Sequence, residues 1–158
     1  MNSRKPLLRW ASGIMVVLGA GHLILLAVIA WGDVTAWASR GMWAAVPLVL
    51  AEGSAPTVES LQNKVTFWGG PGGFGVPLIL LGCLIWHLAG RAVAVPAWAG
   101  WGLAAWCALG GVLLVPSPFF AGVVAGALII AAARKDAAAS RPLAGEPTPL
   151  PHRESRPD

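Results

Sequence analysis

Few side chains in this sequence can do chemistry, and one stands apart. Of three histidines and two cysteines, only His22 lies near the middle of a long charge-free stretch, residues 10–32. A neutral imidazole in apolar surroundings can ligate a metal or haem, bind a quinone carbonyl or relay a proton. It can equally be a packing residue that bonds one neighbouring acceptor. Both readings are open at this point. Pro77 offers the second one a partner, because a proline frees the carbonyl of Gly73 one turn earlier. Gly19 and Gly21 flank His22 and leave room for a second helix to come close.

A metal or haem normally needs a further ligand. His87 is four residues before Arg91, roughly 15 Å from the depth of His22 by helix rise, so the two cannot share an ion. Cys83 and Cys107 are expected to differ in depth by about 12 Å. A disulfide needs Cα atoms within about 7 Å, so these read as free, buried thiols. No CxxC, CxxCH or His-x-x-x-His spacing occurs. No cofactor, no metal site and no enzyme activity are expected. Phe67, Trp68 and Phe74, with Trp106, read either as the lining of an outward-facing pocket or as interfacial anchors. Gly122 and Gly126 form a GxxxG whose role is close packing inside the molecule or a seam between two copies.

The elements that hold these residues follow from composition. The chain has 158 residues, room for one small domain, with 56% hydrophobic and only 11% charged side chains. A soluble fold needs more polar surface than that, so the composition predicts an integral membrane protein. Charge-free windows cover residues 10–32, 65–90 and 92–133. About 20 apolar residues cross a hydrocarbon core of about 30 Å, so the first two windows each read as one crossing. The third divides at Pro116, Ser117 and Pro118, because no helix continues through both prolines. The expected fold is therefore all-α, an up-down four-helix membrane bundle with spans near 10–32, 65–90, 93–115 and 117–133. These make one transmembrane domain, residues 1–134. Trp10, Trp31, Trp86 and Trp98 fall near the expected helix ends, as interfacial belts do.

Nine of the eleven Lys and Arg lie before the first window, between the second and third, or after the last. Both termini are therefore expected in the cytoplasm. The net charge of +4 is a topology signal, and no nucleic-acid partner is expected. The first window exceeds the 7–15 apolar residues of a signal-peptide core and is expected to be retained. The external loop, residues 33–64, holds an eleven-residue apolar stretch at 41–51 that reads as a lid or re-entrant segment. Thr57 is expected to cap a helix with Glu59 in its first turn, and the glycines at 69–73 should break or kink it. Residues 135–158 read as a disordered cytoplasmic tail. The absence of Tyr and the excess of Arg over Lys fit a GC-rich bacterial genome.

Leu8-Arg9-Trp10 leading to Gly19-x-Gly21-His22, then Phe67-Trp68, Pro77 and Gly82, then a Trp-rich span and Pro116-Ser117-Pro118, make a familiar order. It resembles an uncharacterised family of small four-helix bacterial membrane proteins, common in actinomycetes, with only a domain-of-unknown-function label. The resemblance covers about residues 7–134. More distantly the layout is similar to DoxX-like proteins, some of which are tied to quinone-linked redox partners. The label implies no activity.

The sequence therefore points to a multi-pass bacterial plasma-membrane protein, a structural or accessory component. Its expected partners are the lipid bilayer and a protein partner or a second copy of itself. The alternative is a binder of a small hydrophobic molecule or quinone, serving a redox partner through His22. Solute transport is disfavoured, because no charged side chain falls mid-window to serve it.

Overall fold

The computed structural model describes residues 4–41, 57–91, 93–114 and 117–140. Among them the chain is all-helical. The six helices among these residues are α1 (Arg4–Ile29), α2 (Trp31–Arg40), α3 (Val58–Gly69), α4 (Gly75–Gly90), α5 (Ala97–Leu113) and α6 (Phe119–Ala139).

This corrects the expectation of a four-helix membrane bundle. Among the described residues one helix, α1, with 26 residues, is long and apolar enough to cross a membrane. A charge-free window records only the absence of charge, not an unbroken helix, and each of the other three expected spans fails for its own reason. Window 65–90 breaks after Gly69, leaving 12 residues in α3 and 16 in α4. In the third window the helix starts only after Pro96, so α5 keeps 17 residues. In α6 the apolar run stops at Ala133, although the helix continues through Arg134, Lys135 and Asp136 to Ala139.

Other boundaries have local causes. Pro6 fits the first turn of α1, where its missing N–H is unsatisfied in any case. Thr57 caps α3 by accepting from the Ser60 N–H at 3.1 Å, with Glu59 in the first turn. At the end of α2, Gly41 has φ 84°, a conformation that favours glycine. The expected lid at 41–51 lies outside the described residues beyond Gly41, as do Pro116 and the tail beyond Ser140. The first residues assigned to that tail, up to Ala139, are helical, and Asp136 pairs with Arg4 at 2.8 Å.

α1 is the centre of the packing, lying against both α4 and α6, while α5 packs on α6. Its inward face is Leu8, Ala11, Ser12, Met15 and Gly19, the spacing of one helical stripe. The facing stripe of α4 is Gly75, Leu78, Gly82, Ile85 and Ala89. Small residues set the separation: a Cβ on Gly19 would meet the Gly75 carbonyl oxygen at 2.7 Å. Ser12, 1% exposed, donates to the Gly82 carbonyl at 2.5 Å.

The outward faces carry the bulk. Trp10, Val17, Ile24, Val28, Leu80, Leu84, Leu109, Val112 and Val124 are all exposed. Only 17% of the apolar window of α1 is buried inside the molecule, unlike the core helix of a soluble protein. Large side chains such as Leu8, Met15, Ile85 and Ile129 are also fully buried, with glycines where the helix backbones come closest.

Candidate functional site

His22 is half-buried on α1, on the side where α3 ends and α4 begins. Its Nε2 lies 2.7 Å from the carbonyl oxygen of Gly69. A carbonyl only accepts, so Nε2 carries the hydrogen, and in the neutral ring Nδ1 is left as an acceptor.

That acceptor exists because α3 stops. The Gly73 N–H, which would reach Gly69 in a continued helix, bonds Gly70 instead at 3.0 Å, and the N–H groups of Gly70 and Gly72 both reach Phe67. The last carbonyls of a helix lack backbone donors and carry its negative dipole end, so His22 acts as a cap donated from another helix. The partner is Gly69 and not Gly73. Pro77 sits in the first turn of α4, where its missing N–H frees nothing. The glycine-rich run at 69–73 marks a break in the sequence, but not which of its carbonyls is left without a donor.

The structure divides the expected aromatic set in two. Phe74 meets His22 with ring centroids 4.6 Å apart, and Trp106 at 5.5 Å. Phe119 completes this group at 4.9 Å from Phe74 and 5.5 Å from Trp106. Phe67 and Trp68 form a second group, 5.3 Å apart, with Trp37 of α2 at 6.3 Å from Phe67. Sequence reasoning did not single out Phe119 or Trp37 as site residues. A phenylalanine at a helix start and a tryptophan in a stretch read as loop carry no local mark of a partner on another element.

The small residues also separate by role. Gly19 packs against α4, whereas Gly21 is exposed with nothing within 4 Å of where a side chain would begin. Gly126 faces Gly100 and Ala104 of α5, and Gly122 faces Cys107. Their GxxxG therefore packs inside the molecule. Cys83 and Cys107 are free thiols; Cys107 is buried, while Cys83, expected buried, is exposed. Among the described residues no three His, Cys, Asp or Glu side chains converge as for a metal ion.

Two spaces meet at His22. A cavity of about 180 Å³ is lined by Leu18, His22, Phe74, Leu114, Ser117, Pro118 and Phe119. An open groove of about 700 Å³ runs along α1 from Trp10 through Gly13, Val17 and Gly21 to Leu25, with Pro118 and Ala121 on its far side. Leu18, His22 and Pro118 line both.

A separate polar network, absent from the sequence reading, joins α2 to α3. Trp37 Nε1 donates to Asn63 Oδ1 at 2.8 Å, and Thr66 Oγ1 donates to Asp33 at 2.7 Å. Asn63 Nδ2 donates to the Glu59 carbonyl at 2.9 Å, and Arg40 pairs with Glu59 at 2.8 Å on the surface.

Fold and site together define a class: a chain all-helical over its described residues, with an N-terminal helix of membrane-crossing length and apolarity, as a signal sequence also has, and a histidine, His22, bonded across helices. The chain belongs to a family of unknown function, DUF6463, whose model matches residues 6–136. No curated protein and no solved structure matches it, so neither the DoxX likeness nor an actinomycete source is shown.

Proposed function

We propose that this chain is an accessory component of a bacterial plasma membrane, with no catalytic chemistry of its own. The observation that carries this reading is the His22–Gly69 hydrogen bond: the titratable side chain most deeply set in α1 links two helices. The outward apolar faces support membrane insertion, because soluble monomers rarely expose apolar patches beyond a few hundred Å². Retention of α1 is supported by its place between α4 and α6 and by its bonds to Gly69, Gly82 and Asp136. The Lys and Arg distribution supports cytoplasmic termini. The apolar character of α4 and α5 supports a multi-pass arrangement in which they share the lipid with α1.

The test is an oxidised and reduced absorption spectrum of the protein purified in mild detergent, beside His22→Ala. Identical spectra showing tryptophan alone, with a copurifying protein, are expected. A haem, flavin or quinone signature lost in the variant would overturn the reading.

A second reading is favoured by one observation, the groove of about 700 Å³ that passes His22. On it, the chain holds a small hydrophobic molecule.

A further inference from the structure

We infer that the cavity and groove at His22 form one site for a single-chain membrane alcohol. Its hydroxyl donates to His22 Nδ1, and its alkyl chain lies along α1. The inference rests on the second reading above and names its ligand class.

Hydrogen-bond chemistry selects the head. His22 uses Nε2–H on Gly69, so Nδ1 presents a lone pair. Among the described residues Nδ1 has no hydrogen bond of its own, and no buried side-chain nitrogen or oxygen is left without a partner. Nδ1 is therefore accessible, at a residue that lines both spaces. Ser117, the other polar side chain of the cavity, accepts from the Phe119 N–H at 3.3 Å, which leaves its own O–H to donate. A hydroxyl matches this pair, giving a hydrogen to Nδ1 and taking one from Ser117. A quinone carbonyl, an ether or a phosphate ester has no hydrogen to give, and would set an acceptor against the Nδ1 lone pair.

The groove selects the tail. From Trp10 to His22 the helix rises about 18 Å, within reach of a fatty alkyl chain. Apart from His22 and Trp10, whose indole carries an N–H, everything lining the groove is apolar. Gly13 and Gly21, each with nothing within 4 Å of a built Cβ, keep it open where larger side chains would fill it. The cavity of about 180 Å³ holds a compact head and no second chain, which excludes a diacyl lipid seated head-first.

The test uses the full chain in mild detergent and a hexadecanol bearing a photoreactive diazirine in its chain, with unlabelled hexadecanol and hexadecyl methyl ether as competitors. Crosslinks on α1 between Trp10 and Leu25, and on Ala121, are expected by mass spectrometry. The alcohol should compete about tenfold better than the ether, the worth of one hydrogen bond. Gly21→Leu should abolish labelling, since its side chain enters the open groove without touching the packed faces. His22→Phe should erase the preference for alcohol over ether. Equal competition by alcohol and ether in the unmutated protein overturns the hydroxyl assignment while leaving a chain-binding groove. Labelling undiminished by Gly21→Leu overturns both the inference and the ligand reading beneath it.

Discussion

Gly100 of α5 and Gly126 of α6 meet backbone against backbone. A Cβ on Gly100 would stand 2.7 Å from the Gly126 carbonyl oxygen, and one on Gly126 would stand 2.6 Å from that of Gly100. Neither oxygen can swing aside as a side chain would, so a single methyl must push the helices apart. Gly100→Ala and Gly126→Ala are each expected to cost about 1–3 kcal/mol, the usual range for overpacking. Gly102→Ala, on the same helix with nothing within 4 Å, should be neutral or stabilising by up to about 1 kcal/mol. Thermal unfolding in detergent reads the difference. A Gly126→Ala midpoint equal to that of Gly102→Ala would mean that α5 and α6 do not approach this closely.

The contacts between α2 and α3 are unequal in worth. Asn63 is 3% exposed and Trp37 is 7%, so Asn63→Ala leaves the indole N–H without its partner in a dry place. Such a loss costs about 1–3 kcal/mol. The Arg40–Glu59 pair is more than half exposed on both sides, and Arg40→Ala should cost less than about 1 kcal/mol. Hydrogen exchange of the α2 amides checks this. Exchange across residues 31–40 should accelerate in Asn63→Ala and stay near wild type in Arg40→Ala. The reverse order would show that the surface ion pair, not the buried amide, holds α2.

Much of the helical layout was legible locally. Thr57 as a cap, the break at the glycine run and the start of α6 after Pro118 are each written in a few adjacent residues. Window counting failed where helix continuity mattered: absence of charge runs through Gly69 and Gly70, but the helix does not. Most of α2 falls in the loop expected at 33–64, because Asp33 ends the first charge-free window. What orders it, Asn63 and Thr66, lies some thirty residues further along, and no local pattern announces a pairing of that range. His22 was legible as the residue to watch. Its acceptor was not, because choosing Gly69 over Gly73 depends on where α3 ends and on which N–H groups turn back to Phe67 and Gly70.

His22 and Ser12 both donate from α1 to a backbone carbonyl of the neighbouring segment, yet their removal should differ. The Gly82 carbonyl that Ser12 reaches lies inside α4 and keeps its own helical donor, so Ser12→Ala leaves no acceptor bare. Its expected cost is below about 1.5 kcal/mol, the net worth of one hydrogen bond. The Gly69 carbonyl lies at the end of α3, and the N–H that would have served it bonds Gly70 instead. His22→Phe preserves ring contact with Phe74 but strands that partly buried oxygen, and such an acceptor costs up to about 1–3 kcal/mol. His22→Gln, whose amide N–H₂ can reach the same oxygen, should recover part of the loss. Unfolding midpoints of the three variants in one detergent decide the matter. If His22→Phe and His22→Gln fall equally far, the hydrogen bond to Gly69 is not what His22 contributes, and ring packing against Phe74 is.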